Sequence, residues 1–317
     1  MITLFRETRI GYWIMAWLGY ILAFVLGVLL FTSIVGTVVF TVLFVLLWSV
    51  LNGAVFAIIS SKKFAKFRKI WTDECDVETF VKVLEEVASV RPVRFRNEEA
   101  FLFLGLSYGY LTLGKEAEAS ATLERIESTP NDMNLTNRFY YYQNWFICNL
   151  RAGDTLAAEA SLKKAQEVLE QSKWREKQKK AHMENFANMQ CRLRMKQGDF
   201  DGCEAFFLQE KEAAQSKWGK VIANFELGKV YLHENRTKEA QEAFTYVALH
   251  GGNSIHQKWA MEQLEAVGKP VQAPQMQKEQ VVIFATKEKA VLYSALSAFV
   301  TLSAMLILIL IRSGSLG

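Results

Sequence analysis

The sequence predicts an all-α protein in which transmembrane helices flank a soluble helical domain. Residues 10–61 and residues 290–311 contain no Asp, Glu, Lys or Arg. A helix crosses the hydrocarbon core with about 20 apolar residues, so the first run is long enough for two helices and the second for one. Between the runs, apolar residues recur at helical spacing from Asp76 onward, and no alternating strand pattern competes.

The first run is predicted to form a membrane hairpin over residues 1–61, with helices at 11–31 and 37–59. Its apolar stretch far exceeds the core of about 7–15 residues found in a cleaved signal peptide, so we favour retained helices over cleavage. Asn52 is the strongly polar side chain of this run, and we expect it to bond a neighbouring helix.

Small residues recur every four positions in two of the predicted membrane helices. Such spacing lets helices approach closely, although chance recurrence in helices rich in Ala and Gly is an alternative. The two stripes are Gly19, Ala23 and Gly27, and Ala290, Ser294 and Ala298.

The distribution of cations predicts the orientation of this multi-pass membrane protein, because Lys and Arg prefer the cytoplasmic side. Cations lie on both sides of the hairpin, so the N-terminus and the helical domain are expected in the cytoplasm. Before the last helix stand Lys278, Lys287 and Lys289, and after it only Arg312. This bias favours a short C-terminal tail outside.

Residues 62–72 form a basic juxtamembrane segment. Its five cations contribute more charge than the formal +4 of the whole chain. The net positive charge of the chain therefore indicates contact with anionic lipid more than binding of nucleic acid. Phe64, Phe67 and Trp71 fall on one helical face, which suits a helix at a lipid surface; a plain cytoplasmic stop after the second helix is the alternative. The predicted lipid-surface residues are Lys62, Lys63, Phe64, Lys66, Phe67, Arg68, Lys69 and Trp71.

The helices after the basic segment pair off, and two pairs share a pattern. The clearer pair has Leu227, Gly228 and Tyr231, then Asn235 at a turn, then Ala240, Phe244 and Val247. The earlier pair has Phe103, Leu106, Ser107 and Tyr110, then Gly114, then Ala119, Leu123 and Ile126. Both resemble the tetratricopeptide repeat (TPR), a helix–turn–helix of 34 residues in which small residues lie where the two helices cross. Gly or Asn at the turn suits a left-handed backbone.

Two weaker pairs lie between these, with turns at Gly153 and Gly198. They depart from the family at Phe146, in a small position, and at Arg194, where an aromatic residue is usual. The resemblance implies a TPR-like α-solenoid of about four helix pairs, preceded by a helix at 77–89 and closed by a capping helix at 254–267.

The predicted organisation is therefore a membrane hairpin, a basic segment, a TPR-like domain, a polar linker and a C-terminal transmembrane helix. Their bounds are 1–61, 62–72, 73–268, 269–289 and 290–311.

The chain offers little that could carry chemistry, and we expect no enzyme, no cofactor and no catalytic or metal-ligating residue. The four histidines show no metal-ligand spacing, and no glycine-rich loop resembles a nucleotide site. The four cysteines show no close pair and are expected to be half-buried thiols in a reducing compartment, although a Cys191–Cys203 disulfide stays open.

The family resemblance implies a concave groove lined by the first helix of each pair. The groove positions are Phe101, Leu104, Tyr108, Tyr140, Gln143, Ile147, Asn185, Asn188, Arg192, Ile222, Phe225 and Lys229. Their amides can bond an extended peptide, and Arg192 and Lys229 can hold a carboxylate. Packing of some of these residues against the helices themselves is the alternative.

These expectations favour a membrane-anchored scaffold that recruits a protein or peptide partner near the bilayer and also touches anionic lipid. The alternative is a structural subunit of a larger membrane transport or secretion complex, in which the small-residue stripes are the working surface. Nucleic acid is an unlikely partner, because no basic face is concentrated enough.

Overall fold

The structure is a computed structural model that describes residues 6–30, 34–89, 96–127 and 132–268. Within these ranges the chain is all-helical, as expected. The helices are α1 (Arg6–Leu30), α2 (Ile34–Thr72), α3 (Val77–Ser89), α4 (Arg96–Leu113), α5 (Glu116–Glu127), α6 (Leu135–Ala152), α7 (Thr155–Gln171), α8 (Glu176–Lys196), α9 (Cys203–Ala213), α10 (Lys217–His233), α11 (Thr237–His250) and α12 (Ile255–Ala266). The predicted linker and C-terminal transmembrane helix, 269–289 and 290–311, lie outside the described residues.

Two of these helices, α1 and α2, are long and apolar enough to cross a membrane. The second is longer than expected: α2 continues through the basic segment and ends at Thr72. The described residues up to Lys66 belong to one compact unit, and those from Phe67 belong to a second, which we call the helical domain.

The small-residue stripe of α1 packs against α2. Ala23 is fully buried, and a Cβ atom on Gly27 would lie 2.6 Å from the Thr41 hydroxyl. Side chains of α2 also bond the α1 backbone: Trp48 Nε1 donates to the Met15 carbonyl at 2.9 Å, and Asn52 Nδ2 donates to the Tyr12 carbonyl at 3.2 Å. The expected partner of Asn52 is thus confirmed as a neighbouring helix. The close approach that this stripe allows therefore occurs between α1 and α2 of the same chain.

The helical domain contains α3 to α12, and its turns obey the predicted backbone chemistry. The four turn positions have positive φ angles: Gly114 (75°), Gly153 (82°), Gly198 (88°) and Asn235 (59°). Left-handed backbone favours Gly, which has no Cβ atom to clash with the following carbonyl, and tolerates Asn, whose short polar side chain can hydrogen-bond locally. Three of these turns let the next helix fold back on the preceding one: α4 packs on α5, α6 on α7 and α10 on α11, whereas α9 packs mainly on α10.

Helix crossings and caps explain why these pairs hold. At the α10–α11 crossing, a Cβ atom on Gly228 would lie 2.6 Å from the ring of Phe244, so only glycine allows this approach. Helix starts are capped by short polar side chains: Asp154 accepts from the Ala157 N–H at 2.9 Å, and Ser254 accepts from the Gln257 N–H at 3.2 Å. Arg194, which departs from the repeat pattern, fastens the α8–α9 turn through a bidentate ion pair with Asp199.

The end of the helical domain contacts its beginning. Asn253, in the α11–α12 loop, accepts from the Val77 N–H at 2.8 Å and donates to Asp76 Oδ1 at 2.9 Å, so it caps α3 from 176 residues away. Gly252 lies close against the Cys75 carbonyl. The helix expected only to cap the array, α12, therefore also contacts α4.

Candidate functional site

A cavity of about 530 Å³ lies within the helical domain and is lined mainly by α6, α8, α10 and α12. Its lining includes four cations from three helices and three aromatic rings. We call the cations together with the stacked rings of Phe225 and Trp259 the cationic pocket: Arg151, Arg192, Lys196, Lys229, Phe225 and Trp259. The volume falls in the range of pockets that bind small molecules or peptide segments. Glu116 is the acid at its edge.

Arg151 is the most buried of the four cations, and neighbouring groups hold its side chain in place. Its guanidinium donates to the Leu111 carbonyl, lies 3.3 Å from Glu116 and stands 5.2 Å from the centre of the Trp259 ring. Burial and the neighbouring Arg192 lower the pKa of Arg151, while Glu116 raises it. An arginine remains protonated in proteins, so the pocket keeps this charge at neutral pH.

Beneath the pocket, Glu226 is fully buried between two of the cations. Its carboxylate lies 3.1 Å from Arg192 Nε and pairs with Lys229 one turn further along α10. Burial raises the pKa of Glu226, but Lys229, Arg192 and Arg151 outweigh burial and hold that pKa below its ordinary value. Glu226 is therefore an internal counter-ion that orders Arg192 and Lys229.

The pocket retains an excess of positive charge. Among the described residues, the acids paired with Arg151, Arg192, Lys196 or Lys229 are Glu116, which lines the pocket, and buried Glu226. Charges interact more strongly in a partly enclosed, low-dielectric space than in bulk water. The arrangement therefore favours an anionic ligand.

Aromatic side chains form one wall of the pocket. The rings of Phe225 and Trp259 stack with centres 5.8 Å apart, and His256 meets the Phe225 ring edge-on at 5.0 Å. Such a wall can hold the apolar part of a ligand whose charged end contacts the cations.

The structure brings together three of the predicted groove residues, Arg192, Phe225 and Lys229, in this pocket. It places two others, Leu104 and Ile147, in the core at 4% and 5% exposure, so their prediction as groove residues is corrected. Both face neighbouring helices because the first helix of each pair is packed on more than one side.

The remaining predicted groove residues are spread along the domain. Tyr108 lies against the Trp71 ring at 4.8 Å, and Tyr140 lies against His182 at 5.4 Å. Phe101 is exposed, while Gln143, Asn185, Asn188 and Ile222 are half-buried. Tyr108 therefore packs inside the domain, and a substitution there would report on packing as well as on binding.

Sequence reasoning missed Arg151, Lys196, Glu226 and Trp259. Three of them had a signal. Arg151 lies four residues after Ile147, and Lys196 four residues after Arg192, so each extends a predicted groove line by one helical turn. Glu226 stands out as the acid of an otherwise apolar helical stretch. Trp259 had no signal, because only the tertiary fold brings α12 to α6.

The apolar face of the basic segment is also corrected. Phe67 is 2% exposed and stacks on Phe80 at 4.7 Å, and Trp71 contacts Phe80 and Tyr108, so both rings pack into the helical domain and not onto lipid. Phe64 is half-buried, and the side chain of Lys63 lies outside the described residues. The exposed cations of the segment are Lys62, Lys66, Arg68 and Lys69.

All four cysteines are buried and free, so the Cys191–Cys203 disulfide that the sequence left open is not formed. Burial raises the pKa of Cys148, which lines the pocket, to about 11, and that of Cys75 to about 12. These thiols therefore stay protonated at neutral pH and are poor nucleophiles.

No protein-family model, no curated protein and no solved structure matches this chain.

Proposed function

We propose that this protein is a membrane-anchored adaptor whose TPR-like helical array binds an acidic segment of a partner protein in the cationic pocket. The supporting observation is the convergence of four cations from α6, α8 and α10 on one cavity with an aromatic wall. Carboxylates bound by Arg and Lys make charge-assisted hydrogen bonds, which are stronger than neutral ones.

Several features favour a peptide segment as the ligand. Phe225 and Trp259 provide a surface for the methylene groups of a Glu side chain, while the cations receive its carboxylate. On the α8 side, Asn188 and Asn185 are half-buried and lie one and two turns before Arg192. Their amides have the donors and acceptors that an extended backbone needs.

The two candidate membrane helices, α1 and α2, supply the anchor in this proposal, together with a third predicted at 290–311. Cations on both sides of the hairpin favour a cytoplasmic helical domain. Exposed Lys62, Lys66, Arg68 and Lys69 would hold the adjoining surface near anionic lipid.

The alternative, a structural subunit of a larger membrane complex, would use the two small-residue stripes as its contact surfaces, and one of these stripes already packs within the chain. The stripe of Gly19, Ala23 and Gly27 faces α2 of the same chain, where Gly19 adjoins Trp48. The other stripe, Ala290, Ser294 and Ala298, lies outside the described residues.

The proposal can be tested with a fluorescent Glu-rich peptide and its Gln-rich counterpart, titrated against the full chain in nanodiscs of neutral lipid. Neutral lipid avoids binding that depends on the membrane surface. We expect the Glu peptide to bind and the Gln peptide to bind much more weakly. Lys196→Gln and Lys229→Gln should each weaken binding at least about tenfold, since a hydrogen bond to a charged group contributes about 1.5–3 kcal/mol.

The matched control is Lys180→Gln, on the same helix as Lys196. Lys180 is 80% exposed and 3.9 Å from Glu184, and it does not line the pocket. Its loss should leave the affinity unchanged. Equal losses in all three variants, or equal binding of both peptides, would show that the pocket is not the binding site. Arg192→Glu is unsuitable, because it would set an acid against buried Glu226.

A further inference from the structure

Behind the aromatic wall of the pocket lies a second group of polar side chains, Trp71, Trp218 and His256, which we call the donor cluster. Trp218 and His256 are 6% and 5% exposed. Ring centres lie 6.3 Å apart between Trp71 and Trp218, and 5.6 Å apart between Trp218 and His256. The three side chains come from the end of α2, from α10 and from α12, so only the fold brings them together.

Each member of the donor cluster has a buried polar atom without a hydrogen-bond partner among the described residues. These atoms are the indole Nε1 of Trp71, the indole Nε1 of Trp218 and Nδ1 of His256. Buried polar side-chain atoms in folded proteins nearly always have a partner, so these three neighbouring exceptions make the cluster a candidate site for a ligand with complementary atoms.

The chemistry of these atoms identifies the complement. An indole N–H can only donate, and Nδ1 of a neutral imidazole can donate or accept depending on the tautomer, so a ligand with acceptor atoms can satisfy all three. Burial, followed by the charges of Arg151, Arg192 and Lys229, holds the pKa of His256 well below its ordinary value. The imidazole is therefore neutral, and the same three cations favour an acceptor that carries negative charge.

The donor cluster adjoins the cationic pocket. His256 lies 5.0 Å from Phe225 and 5.9 Å from Trp259, ring centre to ring centre, and both of these rings line the pocket. The rings of Phe225 and Trp259 therefore contact His256 and also line the pocket.

We propose that the donor cluster is a second subsite, which binds a carboxylate of the acidic segment through the N–H groups of Trp71, Trp218 and His256. This inference rests on the proposed function, since one segment occupies both subsites. It adds a specificity: the preferred ligand carries two carboxylates, one held by the cations and one by neutral donors. A free carboxylate offers the same acceptor atoms, so the experiment also tests a free carboxylate.

The experiment follows the indole N–H resonances of the full chain, labelled with ¹⁵N-tryptophan in nanodiscs of neutral lipid. Trp71→Phe and Trp218→Phe assign the two signals, because each removes one donor and keeps an aromatic ring. Titration with the Glu-rich peptide should shift both signals downfield, and each variant should bind the peptide at least about tenfold more weakly, the loss expected for a charged hydrogen bond.

Trp174→Phe is the matched control. Trp174 packs on His182 and Phe139, away from the pocket, so the same chemical change there should leave the affinity unaltered. Trp218 is more buried than Trp174, so Trp218→Phe leaves a larger cavity, and thermal unfolding of each variant checks that it is folded before the titration.

The outcomes separate this inference from the proposed function. If Trp71→Phe and Trp218→Phe leave peptide binding unchanged and both signals stay unmoved, water fills the cluster. The subsite inference is then wrong, whereas the proposed adaptor function is not contradicted. If the peptide does not bind at all, the adaptor fails, and titration with acetate decides the subsite. Shifts of both signals with acetate support carboxylate binding there, and their absence overturns it.

Discussion

Replacing Glu226 with glutamine should weaken the fold and strengthen the binding of an acidic ligand. Glu226 is fully buried, 3.1 Å from Arg192 and paired with Lys229. Glutamine keeps the shape of the side chain but removes the charge, so two cations lose their internal counter-ion. In the free protein Glu226 competes with a ligand for these cations, and the variant ends that competition.

The expected loss of stability follows from the geometry. Removing one partner of a buried ion pair costs about 3–5 kcal/mol; the glutamine amide retains one acceptor, so we expect about 3 kcal/mol. In a domain of this size, 1 kcal/mol moves the unfolding temperature by about 2–4 °C, which gives a decrease of about 6–12 °C. Glu116→Gln is the comparison: Glu116 pairs with Arg151 at 3.3 Å, but its side chain is 45% exposed, so solvent screens the carboxylate and the loss of stability should be smaller than for Glu226→Gln.

The assay is thermal unfolding of the full chain in detergent, followed by peptide titration of the same samples. The folded pKa of Glu226 is lowered, so its stabilisation is present above the ordinary value of 4.5 and is lost as the pH falls below it. Wild type and variant should therefore converge on acidification. A variant that unfolds within about 2 °C of wild type near neutral pH, or that matches Glu116→Gln, would refute the counter-ion argument.

Three further predictions concern the packing, the closure and the pH response of the helical domain. Gly228→Ala should cost about 1–3 kcal/mol in urea unfolding, because the new methyl group meets the Phe244 ring; an unchanged midpoint would show that the crossing can relax. Asn253→Ala should cost about 0.5–2 kcal/mol and speed hydrogen exchange at the Val77 N–H; if exchange there is unaffected, the cap does not hold α3. Lowering the pH from about 7 to about 5.5 should reduce the unfolding temperature, because the unfolded chain protonates His256 near 6.5 while burial and nearby cations lower its pKa in the folded chain. His256→Gln should flatten this pH dependence, and an equally steep dependence would assign it to other groups.

Much of the local structure was predictable from short-range chemistry. The helix expected over 77–89 is found as α3 with the same bounds, and the four predicted turn residues all adopt a left-handed backbone. These features depend on the residue itself and on neighbours within a few positions, which the sequence displays directly.

The candidate site was only partly predictable. Arg192, Phe225 and Lys229 were selected through the family resemblance and do meet at the pocket, whereas Leu104 and Ile147 are core residues. Helical periodicity identifies an apolar face but does not say whether that face meets ligand or another helix, because both remove it from water.

The sequence by itself determined that the chain is helical, that its ends are apolar enough to span a membrane and that its turns need Gly or Asn. Only the tertiary structure decided that Asn253 caps α3, that Trp71 packs in the helical domain and not on lipid, and that Arg151 and Trp259 line one cavity. The physical reason is the distance along the chain over which each kind of interaction acts. Periodicity and turn chemistry act over a few residues, whereas the pocket unites side chains separated by more than a hundred positions, whose meeting depends on how every intervening helix packs.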